Sequence, residues 1–322
     1  MKKRILSLAM VGVLAASLFA GCGSSSNTAK DSYNIGILQL VQHPALDAAT
    51  QGFKDALTEK LGDKVSFHEE NAAGEAATCA TIANTFASEN VDLMLGNATA
   101  ALVACTQASD KIPVLGTSIT DYATALSLDN FQGTTGMNAS GTCDLAPLDQ
   151  QADITKELFP EAKTVGIIYC SAEPNSQYQA KVITGYYEKL GLTVKEFPFA
   201  DSNDIASIVK AACAESDVLY VPTDNTAASC AETIASVVVP AKMPVIAGEE
   251  GICAGCGVAT LSIDYYDLGY KTGEMAYDIL VNGKDVSTYE IQYAPQVTKK
   301  YNKSICDQLG VTAPEGYVAI EE

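Results

Sequence analysis

Two groups of polar side chains stand where apolar runs of the chain end, and their chemistries are complementary. The first group is Gln39, Gln42, Asn71, Asn97, Ala98, Thr99, Thr117, Ser118 and Asp121, and the second is Tyr169, Glu173, Asn175, Ser176, Thr223, Asp224, Asn225 and Glu249. The amides and hydroxyls of the first group, with helix starts at Ala98-Thr99 and after Thr117-Ser118, offer donors that suit a carboxylate. Glu173, Asp224 and Glu249 offer anionic acceptors that suit an ammonium. A small zwitterion, such as an amino acid, held between the two groups satisfies both. Plainer roles exist for the same residues. Thr99, Ser118 and Asn225 fit helix N-caps, Asp224-Asn225-Thr226 fits a turn, and Glu249 and Glu250 fit solvated charges. Capping and binding are compatible, because a cap leaves other N–H groups of the first turn free.

Catalysis has little to draw on. The two histidines, His43 and His68, belong to no triad or HExxH pattern, so His43 ahead of Pro44 reads as shaping a loop and His68 as a surface residue. GxGxxG and Walker loops are missing. Cys253-Ala254-Gly255-Cys256 has CxxC spacing, but its glycine-rich surroundings offer no helix start to depress a thiol pKa, and no second CxxC or nearby histidine completes a zinc site. A local disulfide or free thiols are expected there. The sequence leads us to expect no metal, no cofactor and no enzyme.

These residues need a scaffold that brings strand ends together. Ile35–Leu38, Val91–Leu95 and Ile112–Leu115 are short apolar runs followed by helical periodicity, and Val165–Ile168, Val218–Val221 and Pro244–Ala247 repeat the pattern. Buried parallel strands with helices on both faces read this way, so the class is α/β. The two sets also echo one another in order, at an offset of roughly 130 residues. Asn34–Leu38 matches Thr164–Ile168, Gly52–Leu57 matches Gly185–Leu190, and Lys111–Val114 matches Lys242–Val245. Two similar doubly wound parallel-sheet lobes are therefore expected, not one large sheet. Gly133–Asn138 is expected as a strand leading to a crossover, and Val258–Asp264 as the return to the first lobe.

The N-terminus predicts export. Lys2, Lys3 and Arg4 precede an apolar or small run to Ala20, followed by Gly21-Cys22 and a Gly/Ser-rich stretch. This reads as a lipoprotein signal over residues 1–21, a lipidated Cys22 (diacylglycerol, with palmitate), and a flexible tether over 22–32. The expected location is the outer face of the cell membrane, held there by lipid. The formal net charge is −19 and grows more negative once the basic leader is removed, which argues against nucleic-acid binding. Ten cysteines minus Cys22 leave nine, an odd number, and several lie in alanine-rich stretches where Cys serves as a small apolar residue.

Several motifs carry a resemblance. Gly96–Thr99, Pro113–Asp121, Asp144–Pro147, Glu173–Ser176, Pro222–Thr226 and Ser262–Gly269 resemble the ABC-transporter solute-binding lipoproteins that include tryptophan- and tyrosine-binding proteins. The likeness spans about residues 33–310 and departs from the family at Gly248–Gly257. It implies a type I periplasmic-binding fold with a three-crossover hinge. It also implies an ABC permease and its ATPase as partners, and an aromatic amino acid as ligand. Tyr122, Tyr169 and Tyr265 are candidates to stack on its ring. On this reading lobe one comprises 33–140 and 264–290, and lobe two 141–263 and 291–322. A monomer is expected. A surface adhesin or sensor on the same fold is the alternative.

Overall fold

Apolar runs become central strands because a parallel sheet covered on both faces buries every position of its inner strands. The computed structural model describes residues 30–294 and 296–320; the leader, Cys22 and most of the tether lie outside them. Along the first half of the chain run β1 (Tyr33–Gln39), α1 (Pro44–Leu61), β2 (Val65–Asn71), α2 (Ala76–Glu89), β3 (Leu93–Asn97), α3 (Thr99–Ala108), β4 (Val114–Ile119), α4 (Tyr122–Leu126) and β5 (Ala139–Cys143). The second half continues with α5 (Leu148–Leu158), β6 (Thr164–Cys170), α6 (Pro174–Lys189), β7 (Thr193–Phe199), α7 (Ile205–Glu215), β8 (Val218–Val221), α8 (Asn225–Ser229), α9 (Ala231–Val238), β9 (Val245–Ala247), α10 (Glu250–Cys256) and β10 (Ala259–Ser262). The remainder is α11 (Tyr265–Leu280), β11 (Gln292–Tyr293), β12 (Thr298–Tyr301), α12 (Lys303–Leu309) and β13 (Val318–Ala319).

The strands form two sheets, ordered β2-β1-β3-β4-β5-β11 and β7-β6-β8-β9-β10-β12-β13. Their first five strands have the same order, and every pairing is parallel except β10 with β12. The two expected doubly wound lobes are therefore present. The repeat extends to detail: α1 and α6 each start on a proline, where the missing N–H is harmless and the fixed φ suits a helix. Each lobe has a core on both faces of its sheet. Phe86, Met94 and Leu102 lie on one face of the first sheet and Phe53, Leu95 and Leu115 on the other. The chain passes between lobes three times, after β5, after β10 and after β11.

Three expectations shift. Gly133–Asn138 is not a strand; Gly133 (φ 94°) and Gly136 (φ 65°) are left-handed, and Thr135 Oγ1 accepts from the Met137 N–H, so the segment turns and pairing starts at Ala139. Val258–Asp264 does not return to lobe one as a strand, since β10 pairs with β9 and β12 in the second sheet and the chain crosses only at Ile263-Asp264. The lobe boundaries placed at 140/141 and 290/291 cut inside β5 and ahead of β11, and β5 and β11 pair with each other in the first sheet.

Candidate functional site

In the order 2-1-3-4-5 the sheet reverses direction of growth between its first and third strands, and the crevice beyond their carboxyl ends is where such folds take ligands. In the first lobe that point lies between β1 and β3, followed by His43 and by Asn97-Ala98-Thr99. In the second it lies between β6 and β8, followed by Glu173 and by Thr223-Asp224-Asn225.

The lobe-one wall is neutral and under-satisfied. Asn97 is fully buried, and its Nδ2 donates to the Leu46 carbonyl at 2.8 Å and to Thr50 Oγ1 at 2.9 Å. Ala98 (φ 85°) and Ser118 (φ 57°) are non-glycine residues in the left-handed region, a strained backbone typical of ligand clamps. Thr99 opens α3, whose N-terminus receives no side-chain cap, so its first N–H groups stay available. Thr117 Oγ1 is turned to its neighbour Thr142. Three buried atoms of this wall have no partner: His43 Nδ1, Asn97 Oδ1 and Ser118 Oγ. Buried polar atoms are satisfied in the great majority of cases, so these three leave hydrogen-bonding capacity open at the strand-end crevice.

The lobe-two wall is anionic and saturated. Glu173 Oε1 accepts from the Thr226 N–H and Oγ1 at 2.8 and 2.7 Å, and its Oε2 accepts from the Asn225 N–H, Asn225 Nδ2 and Asn175 Nδ2. Asn175 Nδ2 also lies within 3.2 Å of Ser176 Oγ and of the Thr223 carbonyl, so these residues brace the wall. Asp224 caps α8 through the Ala227 N–H at 2.8 Å and ties the Cys170 N–H at 2.6 Å. Glu249 caps α10 through the N–H groups of Gly251 and Ile252. Burial pushes the Glu249 carboxyl up to about 7, despite those two donors. Burial, and then the neighbouring charge of Glu173, raise Asp224 as well.

The walls meet. His43 Nε2 lies 3.3 Å from Asn225 Oδ1, and Gln179 Nε2 donates to Thr120 Oγ1 across the same seam at 3.3 Å. At the hinge Asp144 accepts from Thr120 Oγ1 at 3.2 Å and Tyr265 Oη at 3.0 Å, and burial lifts its carboxyl to about 6. Beyond the seam a cavity of about 330 Å³ opens between the lobes, lined by Leu40, Val41 and Ala100 on one side and Glu173, Asn225 and Thr226 on the other.

The structure thus brings Asn97, Ala98, Thr99, Ser118, Glu173, Asn175, Thr223, Asp224, Asn225 and Glu249 to the two walls, with Thr117 and Ser176 behind them. Gln42 stands apart: it is exposed and, with Gln39, Asp47 and Asn71, lines a separate surface hollow beside β2. Tyr169 is aimed at the sheet edge, where its hydroxyl donates to Glu196 at 2.8 Å. Tyr122 is a core bolt, its hydroxyl within 3.0 and 3.1 Å of the Gly116 and Thr142 carbonyls. Sequence reasoning missed His43, Thr120, Asp144 and Gln179. For His43 a signal existed, since it directly precedes the helix that follows β1; the other three are buried polar residues whose partners, apart from Asn175 for Gln179, lie far away in sequence. His68 is half-exposed beside Glu89 and Glu70, whose carboxylates raise its pKa. A helix does start at the CxxC segment, since α10 runs from Glu250 and contains both cysteines, and all nine described cysteines are free thiols; burial raises Cys253 and Cys256 well out of the reactive range.

With this geometry in hand, the relatives are informative. The family model of the ABC transporter substrate binding protein matches residues 34–320. A tyrosine-binding protein of Clostridioides difficile (strain R20291) is 37% identical over 297 residues, covering 88% of this chain and 86% of that protein. The ABC domain from Streptococcus pneumonia in complex with L-Trp superposes with a TM-score of 0.85 at 33% identity, covering 90% of this chain and 100% of the other. The ligand-free, open structure of a substrate binding protein with adhesive properties from Clostridium difficile gives 0.69 at 35% identity, covering 90% and 99%. At nearly equal identity, this chain superposes better on the tryptophan complex than on the ligand-free, open structure. By sequence over almost its whole described length, and by fold, this chain belongs to the ABC transporter substrate binding protein family.

Proposed function

We propose that this chain is an exported lipoprotein that captures an aromatic amino acid between its lobes and presents it to an ABC importer. The observation that carries the reading is the charge of the seam. Asp144, Glu173, Asp224 and Glu249 are buried at or beside it, while no lysine or arginine is buried among the described residues. Buried charge of one sign calls for a counter-charge, and the uncapped start of α3 offers N–H groups to an anion. A zwitterion answers both. The aromatic preference is supported by the tyrosine-binding relative and by the tryptophan complex. Thermal-shift screening against the twenty amino acids tests it. An aromatic amino acid at a hundred times its Kd is expected to add about 2.7 kcal/mol of stability, and an absence of stabilisation by any amino acid removes the reading.

Lipid on Cys22 would hold the receptor, as a monomer, at the outer face of the membrane, with permease and ATPase completing the importer. Cys22→Ala should release the protein from the membrane fraction, and deletion should abolish uptake of the labelled amino acid. The adhesive properties of the Clostridium difficile relative favour one second reading, a surface adhesin on the same fold. Uptake unchanged after deletion would support that instead.

A further inference from the structure

The seam contains a histidine whose protonation pattern is dictated by its neighbours. Asn225 Nδ2 donates to Glu173 Oε2 at 2.7 Å, and a carboxylate can only accept, so Asn225 must turn its Oδ1 toward His43. His43 Nε2, 3.3 Å from that oxygen, therefore carries the ring proton. The charged groups facing the ring are Asp47 from its own helix and Glu173 from lobe two; both favour protonation, but burial outweighs them and holds the pKa below its usual value. A neutral ring with hydrogen on Nε2 leaves a bare lone pair on Nδ1, the buried atom without a partner. Asn97 is constrained in the same way: its Nδ2 serves the Leu46 carbonyl, so the orphan Oδ1 is also an acceptor. Leu46 lies in the first turn of α1, one turn from His43. Both orphaned acceptors thus belong to side chains packed at the N-terminal part of α1. Meanwhile both oxygens of Asp224 and of Glu249 are engaged by backbone N–H groups.

We propose that His43 Nδ1 and Asn97 Oδ1 of lobe one receive the ligand's ammonium, and that the same His43 ring, through Nε2–H and Asn225, makes lobe closure contingent on that contact. A hydroxyl or indole N–H has one hydrogen and would leave one acceptor orphaned, whereas an ammonium has three. Lobe two supplies the negative field around the site without direct contact from Asp224 or Glu249. The assignment rests on the amino-acid reading above and gives it a site.

Paired substitutions separate the two nitrogens. In His43→Gln the side-chain amide N–H can still reach Asn225, but no acceptor remains at the Nδ1 position. In His43→Asn an acceptor stays near Nδ1 while the reach to Asn225 is lost. Calorimetry with L-tyrosine and L-tryptophan, and with their counterparts lacking the amino group, 3-(4-hydroxyphenyl)propionate and indole-3-propionate, reads the contact. His43→Gln should weaken the amino acid about 10- to 100-fold, as expected for a hydrogen bond to a charged group, and leave the amino-free probe within about twofold. His43→Asn should recover most of the amino-acid affinity but close less completely in small-angle scattering. Nitrogen-15 spectra of the imidazoles in liganded wild type, with His68→Gln identifying the His43 signals, should display a neutral ring protonated on Nε2. Equal losses for both probe types, no loss for either, or a ring protonated on Nδ1 would overturn the assignment while leaving the amino-acid reading intact. A wild type that binds neither amino acid would overturn both.

Discussion

A carboxylate buried without a cation persists only when donors surround it, and Asp224 illustrates how one residue can look like a ligand contact and act as a support. Its two oxygens hold the first turn of α8 and the end of β6. Asp224→Asn keeps an acceptor for the Ala227 N–H but turns an amide N–H toward the Cys170 N–H, leaving that donor buried and unpaired. The expected loss is about 1–3 kcal/mol of stability in urea titration, partly offset by relief of the repulsion with Glu173. Ligand affinity, measured on the folded variant, should change less than for His43→Gln. A loss of affinity without loss of stability would instead make Asp224 a direct partner of the ammonium, as the residue types alone suggested.

At the scale of elements, lobe one depends on the pairing of α1 with α11, the helix that enters after the second crossing. Gly52 and Gly269 let the two backbones touch: a Cβ on Gly269 would lie 1.9 Å from the Ala49 carbonyl oxygen, and one on Gly52 2.1 Å from that of Tyr266. Tyr266 and Tyr270 then reach across to Asp55 and Glu59. Because α1 also carries His43 at its start and α11 carries Tyr265 at the hinge, this contact sets the distance between wall and hinge. Gly269→Ala should force the helices apart and destabilise the protein by about 1–3 kcal/mol, readable as a lowered thermal midpoint. A neutral effect would mean that the helix pair is free to slide, and that the hinge geometry is set elsewhere.

For the whole molecule, buried carboxylates make stability depend on pH in an unusual direction. Asp144 at about 6 and Glu249 at about 7 are raised above their ordinary values by burial, and Asp224 is raised with them. A raised folded-state pKa means that the folded chain holds the proton more tightly than the unfolded one. The stabilisation is present at acidic pH and is lost as pH climbs through about 6 to 7. His43, lowered by burial, works the other way, but three carboxylates outnumber one imidazole. The ligand-free protein should therefore have a higher urea midpoint at pH 5.5 than at pH 8, and Glu249→Gln should flatten the difference. An ammonium ligand supplies the missing charge, so its stabilisation should be larger at pH 8. A ligand-free midpoint that rises with pH would show that these carboxylates are solvated in the absence of ligand.

The sequence by itself determined everything that local periodicity encodes. Apolar runs of strand length, helices between them and an ordered echo at a fixed offset specify two doubly wound lobes, because each lobe buries its own sheet with its own residues. The rule that ligands gather at strand ends then located both walls, including Asn97–Thr99, Ser118, Glu173 and Asp224-Asn225. Only the tertiary structure decided what each side chain does there. Whether a carboxylate caps a helix or meets a ligand depends on which backbone N–H groups it finds: Glu249 finds both of its own in α10, and Asp224 finds one in α8 and one at the end of β6. His43 reads as a loop residue in one dimension because its partner, Asn225, is 182 positions away and on the other lobe. Gln42 and Tyr169 sit close to strand ends in sequence but turn outward and to the sheet edge. Side-chain direction and lobe closure arise from contacts between distant segments, and nothing in local sequence spacing carries them.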